Sequence, residues 1–378
     1  MAEADKKTAE WDEIMAKVPE ATRESEDKAN VNLARHELDA DPSTNLHDLS
    51  DVDIDLDGEL PEIPALLRGP DEKHFLSQGD VGLFVAPGGF GKSRALTQLL
   101  FSIATGTPWL GTFKPSGIGK VAMCFGEEKP DRIYRRLIAA YQGLKKELPG
   151  DIPPQDEIKK NISFLSLRGL NARFQNDDNT PSDFYFKLRQ ALKNKGPFSL
   201  IILDPASRFM GRKAEIDNAL ATDFMSFAER LTEDLDGNPT VVVTHHANKG
   251  AIRGKSDQSS ARGSSALIDA PRWASGLERF MDSDEEKLLL PEHMRSTNYL
   301  RFINTKNNDG PRCDPIYLKM IDPGYLITLD YEELGFLKEA FSTQHGDNIK
   351  TPKQIGKTSN YGTQSKSRRC LSKVIKDV

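Results

Sequence analysis

The residues best suited to do chemistry are six consecutive positions, Gly88-Gly89-Phe90-Gly91-Lys92-Ser93. Glycines let backbone N–H groups turn toward a single point, where they bind phosphate oxygens. In such a loop Lys92 reaches the β- and γ-phosphates, and the Ser93 hydroxyl is a ligand for Mg²⁺. The first position of the strict pattern holds Ala86 instead of glycine. The loop predicts a nucleotide site with ATP and Mg²⁺ as its ligands, and it continues into Arg94.

The segments on either side of this loop fit the same interpretation. An apolar run at residues 81–85 precedes it, and a helical spacing of apolar residues follows at residues 94–100. A strand before the loop and a helix after it are typical of phosphate sites, because the helix adds its positive N-terminal end. A glycine-rich turn with a surface lysine is the alternative, and the flanking patterns favour the phosphate site.

Three further predicted strands end in polar side chains. Asp204 follows residues 198–203, Glu127 follows residues 120–125, and His246 follows residues 240–244. Ligands of an open parallel sheet bind at the carboxyl ends of its strands. We therefore expect Asp204 near Mg²⁺, Glu127 as the base for the attacking water, and His246 beside the γ-phosphate. Glu128 is an alternative base; helix capping by Asp204 and a solvated Glu127 are the structural alternatives.

A basic loop follows His246. Residues 247–262 contain four basic side chains and one acidic side chain, Asp257. A flexible basic loop beside a nucleotide site suits contact with a phosphate backbone. Many surface loops have a similar composition, so the loop by itself is a weak signal. The candidates for DNA binding are Lys249, Arg253, Lys255 and Arg262.

Strand-like runs alternate with helical lengths between about residues 64 and 330. Helices are predicted at residues 131–144, 182–193, 219–231 and 264–273, and further strands at residues 162–167, 299–305, 316–320 and 324–329. Continuous apolar strands separated by helices indicate a mainly parallel sheet covered on both faces. The predicted fold is α/β, with a mainly parallel central sheet flanked by helices and a C-terminal β-rich segment.

Charge is distributed unevenly along the 378 residues, whose net charge is −6. Residues 1–70 carry 19 acidic and 7 basic side chains, whereas residues 345–378 carry 8 basic and 2 acidic ones. We predict an acidic, flexible N-terminal arm at residues 1–62, an ATPase domain at residues 63–344 and a basic, flexible tail at residues 345–378. A solvated arm is the simplest interpretation. An arm that docks or inhibits by mimicking nucleic-acid phosphate is the alternative.

Other features bound the class of protein. The three cysteines are far apart in the sequence, which suggests neither a zinc site nor a disulfide framework. No signal-peptide pattern and no run of 18 apolar residues is present. We expect a cytoplasmic protein that does not contact a membrane.

Taken in order, these motifs resemble the RepA-type hexameric replicative helicases, a branch of the RecA-like P-loop ATPases related to the DnaB helicases. The resemblance covers about residues 64–330 and is most specific at residues 245–251 and 261–273. It implies a homo-oligomer, a ring of six subunits with ATP at the interfaces and single-stranded DNA in the channel. The arm and the tail are candidates for contact with a primase or an initiator protein.

The resemblance also assigns roles to individual residues. It supports the roles given above to the phosphate loop, Glu127, Asp204 and His246. It matches Arg272 with an arginine finger that enters the neighbouring subunit's site. It matches Lys306 with a strand-end lysine that reaches across the same interface. DnaB-like relatives carry an arginine two positions after that lysine, where this chain has Asn308, so Arg272 is expected to be the sole finger.

The leading functional hypothesis is an ATP-dependent DNA helicase, that is, a DNA-stimulated ATPase that unwinds duplex. A RecA-like recombination or remodelling ATPase without processive unwinding is one alternative. A nucleotide-dependent switch or scaffold that acts through the tails is another. The set Lys92, Glu127, Asp204 and Arg272 counts against a scaffold, because binding alone requires neither a base nor a finger. A small-molecule kinase is disfavoured, because no arginine-bearing lid is evident.

Overall fold

The computed structural model describes residue 48 and residues 55–150, 152–211, 217–246, 266–280 and 283–345. Twelve strands lie in this part of the chain. They are β1 Ala65–Arg68, β2 His74–Ser77, β3 Val81–Ala86, β4 Lys114–Pro115, β5 Val121–Phe125, β6 Ile162–Ser166, β7 Leu200–Asp204, β8 Thr240–His246, β9 Trp273–Phe280, β10 Tyr299–Asn307, β11 Ile316–Ile321 and β12 Tyr325–Thr328.

Eight α-helices accompany the strands in the described residues. They are α1 Lys92–Thr105, α2 Pro130–Glu147, α3 Gln155–Asn161, α4 Asp183–Lys195, α5 Asn218–Glu233, α6 Ala266–Asp269, α7 Asp284–Leu288 and α8 Tyr331–His345. Short polar side chains cap two of the longer helices. Ser182 accepts a hydrogen bond from the Tyr185 N–H at the start of α4, and Asp217 accepts one from the Ala219 N–H at the start of α5.

Nine strands form the central sheet in the order β12-β11-β10-β9-β3-β8-β7-β5-β6. The pairs from β9 to β6 are parallel, whereas β10, β11 and β12 are joined by antiparallel pairs. A separate antiparallel sheet has the order β2-β1-β4. This is the RecA-like P-loop fold, and it confirms the predicted parallel sheet with a C-terminal β-rich extension.

Both faces of the central sheet are buried. Leu200 and Ile202 of β7 belong to a core with α1 on one face, and Ile201 and Leu203 belong to a core with α4 and α5 on the other. Successive strand residues point to opposite faces, so a strand covered on both sides must be apolar throughout. This explains the continuous apolar runs that marked the parallel strands in the sequence.

The predicted helix at residues 264–273 is wrong in part. Only Ala266–Asp269 is helical, and Trp273 begins β9, which lies between β3 and β10. A Cβ at Gly82 would lie 2.8 Å from the Trp273 ring, and one at Gly276 would lie 2.3 Å from the Val85 oxygen. Two glycines thus make the close approach of β9 to β3 possible, a long-range contact that local apolar spacing did not reveal.

Two searches of the described residues found nothing. None of the helices described here has the length and apolar character needed to cross a membrane. No group of three or more His, Cys, Asp or Glu side chains that could hold a metal ion was found in the described part of the chain.

Candidate nucleotide site

Four strand ends converge where the sequence predicted a site. Ala86 at the end of β3 pairs with His246 of β8, and Phe125 at the end of β5 pairs with Asp204 of β7. The loops that leave these strands enclose a cavity of about 280 Å³. We call it the nucleotide cavity. Its lining is Pro87, Gly88, Gly89, Gly91, Lys92, Ser93, Arg94, Phe125, Glu127, Glu128, Arg136, Asp204, Pro205 and His246.

The loop before α1 has the conformation that its glycines permit. Gly89 has φ 82° and Gly91 has φ 77°, both in the left-handed region that disfavours other residues. A Cβ on Gly91 would also lie 3.2 Å from Cε of Met320. Gly91 is followed directly by α1, so the positive N-terminal end of a 14-residue helix faces the cavity. The loop is therefore shaped to bind phosphate.

Lys92 and Asp204 form a buried ion pair at the base of the cavity. Lys92 Nζ lies 3.0 Å from Asp204 Oδ1, and the two side chains are 8% and 6% exposed. Burial by itself would raise the pKa of Asp204. The Lys92 charge and hydrogen bonds from Ser93, Thr244 and Lys92 outweigh burial and hold that pKa below its ordinary value. Asp204 is therefore a carboxylate at neutral pH.

Thr244 connects the two charged residues and was missed in the sequence. Its hydroxyl accepts a hydrogen bond from Lys92 Nζ at 3.0 Å and donates one to Asp204 Oδ1 at 2.6 Å. The one available signal was a buried polar residue at the end of the otherwise apolar run of β8, two positions before His246. The hydroxyl fixes the position of both partners.

The oxygen atoms here suit Mg²⁺. Ser93 Oγ donates to Asp204 Oδ2 at 2.6 Å, so a hydroxyl and a carboxylate already lie side by side at the N-terminus of α1. Hard divalent cations prefer such oxygen ligands, and Mg²⁺ keeps most of its waters while it bridges a carboxylate and phosphates. Ser93 and Asp204 would hold the ion, and Lys92 with the loop N–H groups would hold the phosphates of ATP.

The two neighbouring glutamates differ in their surroundings. Glu128 is bound by Arg136, whose Nε donates to Oε2 at 3.2 Å and whose Nη2 donates to Oε1. Glu127 is about half exposed, and its Oε1 lies 3.4 Å from Arg208 Nε. Both residues line the nucleotide cavity. A carboxylate held by two N–H groups is a poor candidate for a base, so the geometry favours Glu127. Arg136, on an amphipathic helix, gave no signal in the sequence.

Glu127→Gln should bind ATP nearly normally and hydrolyse it at least about 10²-fold more slowly, because an amide cannot accept the proton of the attacking water. Glu128→Gln is the matched control and should retain most of the turnover. Phosphate release and the affinity for a fluorescent ATP analogue measure the two effects separately. Wild-type turnover in Glu127→Gln together with loss in Glu128→Gln would reverse the assignment.

Two other predicted residues of the loop have contacts outside the phosphate cradle. Arg94 lines the nucleotide cavity, and its guanidinium also donates to the Pro323 oxygen at 3.0 Å. Phe90 is buried, and the Arg279 guanidinium lies 4.4 Å above its ring. The turn of the loop thus rests on the β9–β12 end of the sheet, which fixes its position.

Arg272 and Lys306 lie at the other edge of the sheet. Trp273 pairs with Gly82 near the start of β3, so Arg272 is at the amino end of the strands, whereas the phosphate loop is at their carboxyl end. Arg272 Nε lies 3.8 Å from Asp80 Oδ1, and Lys306 Nζ donates to the Asp269 oxygen at 2.5 Å. We call these four residues the amino-edge cluster. Within one subunit the structure does not bring them to the nucleotide cavity.

Charge and burial distinguish the two cations of this cluster. Burial lowers the pKa of Lys306, as does the nearby Arg272 charge, while Asp269 acts in the opposite direction. The Arg272 side chain is 60% exposed. An exposed arginine with one distant carboxylate partner is available to an incoming anion.

The predicted DNA-binding residues Lys249, Arg253, Lys255 and Arg262 lie outside the described residues. Their role stays a prediction. The same holds for most of the arm at residues 1–62 and for the tail beyond His345. Residues 55–64, which lead into β1, contain neither helix nor strand and are exposed.

Comparison with known proteins gives one family match and many structural ones. A family model described as an AAA domain matches residues 40–251, more than half of the chain. The ATPase domain of a DnaB-like helicase aligns with 73% of this chain and 94% of its own length, at 16% identity and a TM-score of 0.46. A KaiC-like protein from Pyrococcus horikoshii aligns with 72% of this chain and all of its own length, at 14% identity and a TM-score of 0.43.

Proposed function

The chain belongs to the AAA domain family, and from this premise we propose that it is an ATP-dependent DNA helicase of the RepA-like replicative type. The proposed enzyme is a hexameric ring that hydrolyses ATP between subunits, moves along single-stranded DNA and unwinds duplex. A cytoplasmic location and contact with a primase or initiator protein through the arm and the tail are parts of the same proposal.

One observation carries the proposal: the two halves of the expected active site lie at opposite edges of one sheet. Lys92, Asp204 and Glu127 are at the carboxyl edge, and Arg272 with Lys306 is at the amino edge. A group that stabilises the γ-phosphate must reach it directly. If Arg272 has that task, it acts on the nucleotide of a neighbouring subunit. Head-to-tail contacts of this kind generate closed rings when the rotation closes.

Each residue of the site has a task in this mechanism. Bound Mg²⁺ would neutralise charge on the β- and γ-phosphates. Lys92 exchanges its contact with Asp204 for the phosphates, and the Asp204 carboxylate thereby becomes available to the water shell of the ion. Glu127 accepts the proton of the attacking water, and His246 at the end of β8 contacts the γ-phosphate.

The test combines assembly with unwinding. Native mass spectrometry with a non-hydrolysable ATP analogue should give six subunits, and a forked duplex should be separated only with ATP and Mg²⁺. A ring that hydrolyses ATP in response to DNA but separates no duplex would favour the remodelling ATPase. A protein that binds ATP without DNA-stimulated turnover would favour the switch or scaffold.

Neutralising Lys249, Arg253 and Lys255 together should weaken binding to single-stranded DNA to a similar degree for all sequences. The slope of log affinity against log salt should fall by about 0.7 for each lost phosphate contact. Basal ATP turnover should persist, since these side chains are not assigned to nucleotide, while stimulation by DNA should decrease. Fluorescence anisotropy over a salt series measures the slope.

The basic tail is the rival source of DNA affinity. A chain ending at Gln344 therefore serves as the control in the same salt series. If this truncation abolishes salt-dependent binding while the loop variant binds like wild type, the loop does not contact DNA. The protein would then be an ATPase tethered to DNA by its tail.

A further inference from the structure

A second polar cavity lies beside Glu127, outside the nucleotide cavity. It has a volume of about 460 Å³ and is formed by the loop after β6 and the turn after β7. We call it the arginine cavity. Its lining is Gly169, Leu170, Asn171, Ala172, Arg173, Ser207 and Arg208. Two guanidinium groups and no carboxylate line it, so it suits an anion.

Arg208 is held in place by the strand end that also carries the active site. It ends a 3-10 turn, Ala206–Arg208, that begins two residues after Asp204. A Cβ on Gly126 would lie 2.5 Å from Cγ and 2.8 Å from Cβ of Arg208. The Gly126 N–H in turn donates to the Asp204 oxygen at 2.8 Å. The arginine stem can cross β5 at this point because residue 126 has no side chain.

From this position Arg208 reaches two groups. Its Nε lies 3.4 Å from Glu127 Oε1, and the same residue lines the arginine cavity. Arg173, the other cation of the cavity, has a carboxylate 3.8 Å away on Asp177, which is 86% exposed. Both ion pairs are long and solvated, so an anion in the cavity can compete with the carboxylates.

We propose that the arginine cavity binds a phosphate group and that Arg208 is a positioning residue for Glu127. Without the ligand, Arg208 holds the Glu127 carboxylate. A phosphate bound to Arg173 and Arg208 draws the guanidinium away, and Glu127 becomes free to accept a proton from water. The ligand chemistry is that of a phosphodiester in a nucleic-acid strand or of free inorganic phosphate. The proposal rests on the proposed function, because it takes Glu127 as the base.

Arg208→Ala tests the coupling. Basal turnover should rise about two- to five-fold, the range expected for release of one half-exposed ion pair, and added single-stranded oligonucleotide should stimulate the variant less than wild type. Lys187→Ala, which removes an exposed charge from α4, is the matched control. A merely structural role for Arg208 would lower basal turnover and leave the ratio of stimulated to basal rates unchanged, and that result would overturn the proposal.

Gly126→Ala provides a second variant that keeps the Arg208 charge. The new Cβ displaces the arginine stem, so basal turnover should again rise and stimulation should fall. Arg173→Ala should raise the oligonucleotide concentration needed for half-maximal stimulation. Affinity of each variant for a fluorescent ATP analogue reports whether the site is folded. Oligonucleotide stimulation unchanged in all three variants would overturn the proposal.

Two further arms separate the sources and the proposals. If millimolar inorganic phosphate stimulates wild type but not Arg208→Ala, the ligand is free phosphate; if only the oligonucleotide does so, it is a phosphodiester. Glu127→Gln distinguishes the two proposals. If this variant retains turnover, the proposed function fails. If it loses turnover while Arg208→Ala behaves as wild type, only the coupling fails.

Discussion

Arg272→Ala should lower ATP turnover by about 10³- to 10⁵-fold, the range supplied by an arginine that stabilises a transferring phosphoryl group. Stability should change little. Arg272 is largely exposed and its nearest carboxylate partner, on Asp80, is 3.8 Å away, so the free energy of unfolding should stay within about 1 kcal/mol of wild type. Steady-state phosphate release and chemical denaturation measure the two quantities.

Mixing of inactive subunits tests whether Arg272 acts across an interface. Arg272→Ala subunits retain Lys92, and Lys92→Ala subunits retain Arg272. In a random 1:1 mixture about one interface in four would combine an intact lysine with an intact arginine, so turnover should recover in part. If Arg272 acts within its own chain, no complete site forms. Absence of recovery, with subunit exchange verified by mass labelling, would contradict action in trans.

Lys92→Ala should reduce ATP turnover to background, because it removes the ammonium group that holds the β- and γ-phosphates. It should also destabilise the fold. Lys92 and Asp204 are both buried and 3.0 Å apart, and removal of one partner from a buried pair costs about 3–5 kcal/mol. Turnover assays and denaturant unfolding of the same preparation measure both effects.

A double variant separates the loss of chemistry from the loss of stability. Lys92→Met with Asp204→Asn removes both charges and keeps side chains of similar length, so no unpaired charge stays buried. Its unfolding free energy should recover most of the loss seen in Lys92→Ala, while its turnover should stay at background. If the double variant regained turnover, Lys92 would have a structural role and not a catalytic one.

The site was predictable to the extent that its chemistry follows local patterns. Gly89 and Gly91 precede a lysine and a helical repeat, and their positive φ angles are those of a phosphate loop. Asp204 follows an apolar run, because a strand buried on both faces must be apolar and its first polar residue lies at the edge of the sheet. His246 was found by the same argument.

The contacts that tune these residues were not predictable in this way. Thr244 and Asp204 are 40 positions apart, and Arg136 binds Glu128 from within an amphipathic helix. The helix predicted through Trp273 is interrupted because Gly82 and Gly276 admit β9 beside β3. The short sheet of β1, β2 and β4 gave no periodic signal, because its strands have only two to four residues.

The sequence by itself determined the fold class, the phosphate loop and the acid that accompanies it, because each depends on residues close together in the chain. Tertiary structure decided which glutamate is bound by an arginine, where Arg208 lies, and that Arg272 with Lys306 occupies the edge opposite the nucleotide cavity. These facts depend on strand order and register, which bring distant residues together. Local periodicity carries no record of such pairings, since many strand orders satisfy the same apolar pattern.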